Sequence, residues 1–95
     1  MRKRKNGYDE IISKDAENAM KKLVKQADIG RWIFVCSHDG YVQIVDIDYE
    51  RGVPFAFSEG LRELERRLPK PAEDYDLTPA ELAAYRALLR EHGIH

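Results

Sequence analysis

The sequence predicts an α+β domain, and three observations predict it. Two apolar runs, Arg31 to His38 and Tyr41 to Glu50, meet at Asp39-Gly40, the dipeptide that best closes a two-residue hairpin. Between Ala16 and Ala27 the apolar residues recur at helical spacing without a gap. After residue 57, two further segments carry helical stripes and terminal signals of their own. The architecture that follows is a three-stranded antiparallel meander packed with two helices, plus a linked C-terminal helix. Tyr8 to Ile12 alternates well enough to supply a fourth, N-terminal strand.

The hairpin sets the register. A type I′ turn requires positive φ at both Asp39 and Gly40, and that turn fixes every pair behind it. Trp32, Phe34, Cys36 and His38 then stand opposite Ile47, Val45, Gln43 and Tyr41 on one face. Arg31, Ile33, Val35 and Ser37 stand opposite Asp48, Asp46, Ile44 and Val42 on the other. The first face, with Trp32 and Phe34, is the expected core. Arg31 and Asp48 are expected to close the second as a cross-strand ion pair worth a few tenths of a kcal/mol.

The other elements follow in chain order. Met1 to Lys5 places four cations before any apolar periodicity, so residues 1–7 read as a mobile basic tail. Residues 8–68 form the α+β domain. Its first helix is capped by Ser13 or Asp15, carries Ala16, Ala19, Met20, Leu23, Val24 and Ala27 on its stripe, and ends at Gly30 in the left-handed conformation. Val53 to Phe57 reads as an edge strand, because Pro54 has no N–H for a ladder. Ser58 caps a second helix with Leu61, Leu64 and Leu68 on one stripe, and Pro69 stops it. Residues 69–77 are a linker of prolines and acids. Residues 78–95 hold the C-terminal helix, marked by Thr78 as N-cap, Pro79 at the first helical position, Glu81 completing a capping box, and Gly93 at the left-handed end.

A chain of 95 residues makes one domain with one core. Its single cysteine, Cys36, has no internal disulfide partner, and no apolar run approaches the ~18 residues of a membrane span. With no signal-peptide apolar core, the expectation is a cytoplasmic protein without membrane contact. Net charge is −1, yet residues 1–31 hold nine Lys/Arg against five Asp/Glu, while residues 32–95 hold seven against twelve. Such a dipole speaks to partners and association rates, not to fold.

Four groups of residues invite a chemical reading. Asp46, Asp48 and Glu50 alternate, so a continuous strand would align them as oxygen ligands for Mg²⁺ or Mn²⁺, with Asp46 and Asp48 as the leading pair. No further ligand cluster accompanies them, and solvent-side strand residues are the better reading. Cys36-Ser37-His38-Asp39 collects a thiol, a hydroxyl, an imidazole and a carboxylate, but alternation turns Ser37 away from Cys36 and His38, so no nucleophile–base pair follows. Arg2, Lys3, Arg4 and Lys5, with Lys21, Lys22 and Lys25 on the first helix, form a basic surface that suits phosphates. Helix, three strands, helix is also the order of the double-stranded-RNA-binding domain, but that family begins its second helix with lysines, whereas this chain reads Ser58-Glu59-Gly60-Leu61.

The fourth group is the contiguous patch Ile33, Val35, Val42 and Ile44 on the second face of the hairpin. It requires a cover, either the C-terminal helix through Leu82, Tyr85 and Leu89, a second copy of the chain, or another protein. The leading functional expectation is therefore a non-catalytic binding or regulatory domain acting through protein–protein contact, with no cofactor and no catalytic residue. The alternative is a small nucleic-acid-acting protein, either a weak RNA or DNA binder or a metal-dependent nuclease, built on the basic helix and the Asp46/Asp48 strand.

Overall fold

The computed structural model describes residues 7–94. The elements run β1 (Asp9–Glu10), α1 (Lys14–Gln26), β2 (Ile33–His38), β3 (Tyr41–Asp46), β4 (Val53–Pro54), α2 (Phe57–Arg67), a 3₁₀ turn (Ala72–Asp74) and α3 (Pro79–Glu91). Helices and an antiparallel four-stranded sheet share one compact unit, so the α+β class holds and the fourth strand is present.

The turn chemistry decides the sheet. Asp39 and Gly40 have φ of 54° and 82°, and β2 and β3 pair in the expected register from Ile33↔Asp46 to His38↔Tyr41. The central strand is β3. One of its edges carries β2 along its whole length; the other is shared by β1, at Val42 and Gln43, and β4, at Val45 and Asp46. Pro54 sits in that short outer strand, where its missing N–H costs no ladder bond.

The core lies on the opposite face from the one expected. Ile33 and Ile44 are 0 % exposed and Val35 and Val42 are buried with them, whereas Phe34 is 51 % exposed. The reason lies in the helices. The stripe Ala16, Ala19, Met20, Leu23 and Val24 of α1 packs over β2, and Leu61 and Leu64 of α2 pack over β3, all from the same side. Four β-branched residues at alternate positions form the even surface these stripes fit. Each fully buried side chain of this kind contributes about 1.5–3 kcal/mol.

The patch expected to need a cover, from the C-terminal helix, a second copy or another protein, is buried under α1 and α2. Helix α3 does not lie over it. That helix packs chiefly against α1, with Tyr85 and Leu88 buried and Leu82 and Leu89 half-buried against the same core. Polar ties to α1 and α2 help hold it there. Lys22 Nζ lies 2.8 Å from Glu81 Oε1, and the Tyr85 hydroxyl donates to Glu65 Oε2 at 2.6 Å.

Local signals differ in how well they held. Ser13 caps α1, accepting from the Ala16 N–H at 3.1 Å. Thr78 and Glu81 form a reciprocal capping box on α3, whose far end is a Schellman motif, with Ile94 N–H donating to Leu89 O and Gly93 N–H to Arg90 O. Gly30 does not end α1; Asp28, at φ 58°, takes the left-handed position. The strand at Val53 stops at Pro54, and α2 begins at Phe57 with Ala56 as its N-cap, so Ser58 lies within the helix. Arg31 does not pair with Asp48. It stacks over Trp32 at 4.3 Å, and Asp48 faces Arg67 at 3.8 Å.

The segment from Pro69 to Leu77 is tethered: Ala72 is buried, and Gln26 binds both the N–H and the carbonyl of Asp76 at 2.8 and 3.1 Å. Among the described residues no helix is long and apolar enough to cross a membrane.

Candidate functional site

With α1 and α2 on one face and α3 on α1, the other face of the hairpin carries no helix among the described residues, although Tyr41 at its turn end is buried. Phe34 and Val45 pair across that face, and beyond the strand ends Ile47 and Tyr49 are exposed, Tyr49 by 64 %. Cys36 and Gln43 continue the same face as half-buried residues. Burial pushes the Cys36 thiol above its ordinary range, with the Lys21 charge opposing, so it stays protonated at neutral pH. That is the packing role a mid-strand cysteine invites.

The edge of β2 borders a groove of about 610 Å³ between this strand and α1. Val24 and Val35 supply apolar surface, Gly30 leaves one end without a side chain, and Lys21 and Lys25 overhang it. Phe34 lines both the groove and the uncovered face. Lys21 is anchored by Glu17 at 2.8 Å and reaches Ser37 Oγ at 3.4 Å. The Lys21 hydrogen bond is the main reason the Glu17 carboxyl lies below its ordinary range.

The basic surface is largely committed to the fold. Lys22 is tied to Glu81 and Lys21 to Glu17, so of the three lysines expected to meet phosphate, Lys25 alone has no ion pair among the described residues. Arg2, Lys3, Arg4 and Lys5 lie outside the described residues.

The carboxylates do not converge. Strand β3 stops at Asp46 and the chain turns, so Asp46, Asp48 and Glu50 share no strand face. Asp46 Oδ1 accepts from the Asp48 N–H at 2.9 Å, and Asp48 points at Arg67. Among the described residues no three His, Cys, Asp or Glu side chains gather as a metal site. At the hairpin tip His38 lies 3.4 Å from its neighbour Asp39, both largely exposed.

One cluster gave no signal in the sequence. Ser58 Oγ sits 2.6 Å from His92 Nδ1, and His92 Nε2 sits 3.3 Å from Glu10 Oε2, joining residues far apart in the chain. Nδ1 would accept the serine proton if the ring carried its own on Nε2, the order of groups that activates a hydroxyl, but Nε2 makes no hydrogen bond. A nucleophile also needs a seat for its substrate, and among the described residues none of the three best-formed grooves is lined by Ser58 or His92. The Phe57 ring closes on His92 at 5.4 Å. The trio ties β1, α2 and the end of α3 together.

Comparison with known families, curated proteins and solved structures returns no match for this chain.

Proposed function

We propose that this chain is a small non-catalytic binding domain that acts by contact with another protein, through the open side of its hairpin. The observation that supports this reading is the hairpin face that carries no helix among the described residues, where Phe34 stands half in solvent in mid-strand. An antiparallel sheet that faces water ordinarily alternates to polar residues on that side. Exposed apolar and aromatic surface is where protein contacts concentrate. A lone cysteine without a disulfide partner supports a reducing, cytoplasmic setting.

The nucleic-acid reading ranks second, because Lys21 and Lys22 are already paired with Glu17 and Glu81. The test uses the full chain, immobilised by its C-terminus, beside its Phe34→Asp variant. Loss of the recovered partner with Phe34→Asp, at an unchanged circular dichroism spectrum, is the expected result. The same partners on both surfaces overturn the reading. Submicromolar affinity for RNA or DNA, falling steeply between about 50 and 200 mM salt, promotes the alternative.

A further inference from the structure

We propose that the open edge of β2 takes an acidic, extended segment of a partner protein as a fifth strand, laid in the groove between β2 and α1. This inference rests on the protein-contact reading above and names the chemistry of the partner.

The backbone provides the first argument. Among the described residues strand β2 pairs with β3 alone, along all six of its residues. The Trp32 carbonyl accepts from the Ile47 N–H at 2.7 Å. Antiparallel alternation then points the amides of Phe34, Cys36 and His38 toward β3, and those of Val35 and Ser37 away from it. The Ile33 N–H is taken by the Ile29 carbonyl at 3.2 Å. The outward row available to an added strand therefore starts at the Ile33 carbonyl and runs to Ser37. Adding a strand to such an edge draws affinity from main-chain hydrogen bonds and selectivity from the side chains beside them.

The groove supplies that selectivity. Alternate side chains of the added strand face α1, over Val24 and under the overhanging Lys21 and Lys25. The row Lys14, Glu17, Lys21 and Lys25 sets three lysines against one glutamate, and Glu17 is already shared by Lys14 at 3.6 Å and Lys21 at 2.8 Å. The uncommitted charge is Lys25. Carboxylates at alternate positions of an incoming strand meet this wall favourably. A second copy of β2 would set two such lysine rows against each other, which disfavours self-pairing at this edge.

The test adds a defined peptide to the ¹⁵N-labelled full chain: an acetylated, amidated strand of about ten residues alternating Glu and Val. Saturable shifts and slowed exchange at the Val35 and Ser37 amides are expected. The peptide with Lys in place of Glu, and the Lys25→Glu protein with the original peptide, should each bind about tenfold more weakly. N-methylation of the peptide on the side facing β2 should abolish binding, and it leaves the protein untouched. Equal affinity of the two peptides, tolerance of N-methylation, or a free protein that is already dimeric with Val35 and Ser37 protected would each overturn the inference. So would shifts confined to Phe34 and Val45. In that case the protein-contact reading survives and only the edge is lost, whereas partner recovery indifferent to Phe34→Asp sinks that reading itself.

Discussion

Replacing Gly60 with alanine tests which side of the sheet is the core. Gly60 lies in the first half of α2, where alanine ordinarily stabilises a helix by about 1 kcal/mol over glycine. A Cβ at this position would meet Ile44 Cβ at 2.8 Å, Phe55 Cβ at 3.0 Å and Ile44 Cγ2 at 3.1 Å. Carbon atoms settle at about 3.5–4.0 Å, so α2 must back away from β3 by several tenths of an ångström. Two of the three obstacles are Cβ atoms fixed to the backbone, and no rotamer change moves them. Overpacking of this kind costs about 1–3 kcal/mol, and its upper half applies where the obstacle is rigid. Set against the helical gain, the net expectation for Gly60→Ala is a loss of about 1–2 kcal/mol. In a domain of this length that lowers the melting temperature by about 5–15 °C. Urea unfolding followed by circular dichroism measures it, with Ala83→Gly on the exposed side of α3 reporting the propensity contribution alone. A Gly60→Ala protein as stable as the parent would mean that α2 does not press on Ile44, and the assignment of the buried face would fall with it.

Other substitutions probe the remaining contacts. Tyr85→Ala empties a fully buried site between α3 and the core and should cost about 3–5 kcal/mol, while Tyr85→Phe forfeits only the bond to Glu65 and should cost about 1 kcal/mol; chemical denaturation separates the two. Glu17, Glu63 and Glu81 all titrate below the ordinary value of 4.5, held down chiefly by hydrogen bonds from Lys21, Arg66 and Lys22 respectively. A depressed carboxyl stabilises the fold above its unfolded value and loses that contribution as pH falls through its folded one, so stability should decline below about pH 4.5. Lys22→Met should move the midpoint of acid unfolding upward, and a titration followed by tryptophan fluorescence that shows no movement would refute the α1–α3 tie. Phe34→Asp should change stability by less than about 1 kcal/mol, since its ring is half in solvent on an edge strand; a larger loss in urea melts would show that this face is packed after all.

Much of this fold was legible because its signals are local. Asp39-Gly40 determines the hairpin register through its own φ angles, and Thr78, Glu81 and Gly93 determine both ends of α3 through hydrogen bonds within four or five residues. The choice of buried face was not local. Alternation makes both sides of this hairpin apolar, one with Trp32, Phe34, Val45 and Ile47, the other with Ile33, Val35, Val42 and Ile44. Counting aromatic area favours the first; the shape that α1 and α2 require favours the second, and that preference exists only once the helices are in place. The destination of α3 was hidden for the same reason, since Lys22–Glu81 and Tyr85–Glu65 join residues 59 and 20 positions apart. His92 reads in sequence as one more residue at a helix end, and only the fold brings it to Ser58 and Glu10.

The two edges of the sheet are treated differently, and the difference bears on function. An open strand edge invites pairing with any extended chain, and folded proteins blunt such edges with short strands, prolines or lysines. Along one side of β3 the first two devices are used: β1 and β4 are two residues each, and Pro54 sits in the second. Along β2 neither is used. The six residues carry no proline, the apolar Phe34 stands in the middle, and among the described residues the guard is the lysine row of α1. A proline weakens the docking of any incoming strand by removing a donor, whereas a lysine row repels basic strands and attracts acidic ones. On the proposal above, an edge left long, apolar at its centre and guarded by charge would discriminate among strands instead of excluding them, the property a peptide-binding edge requires.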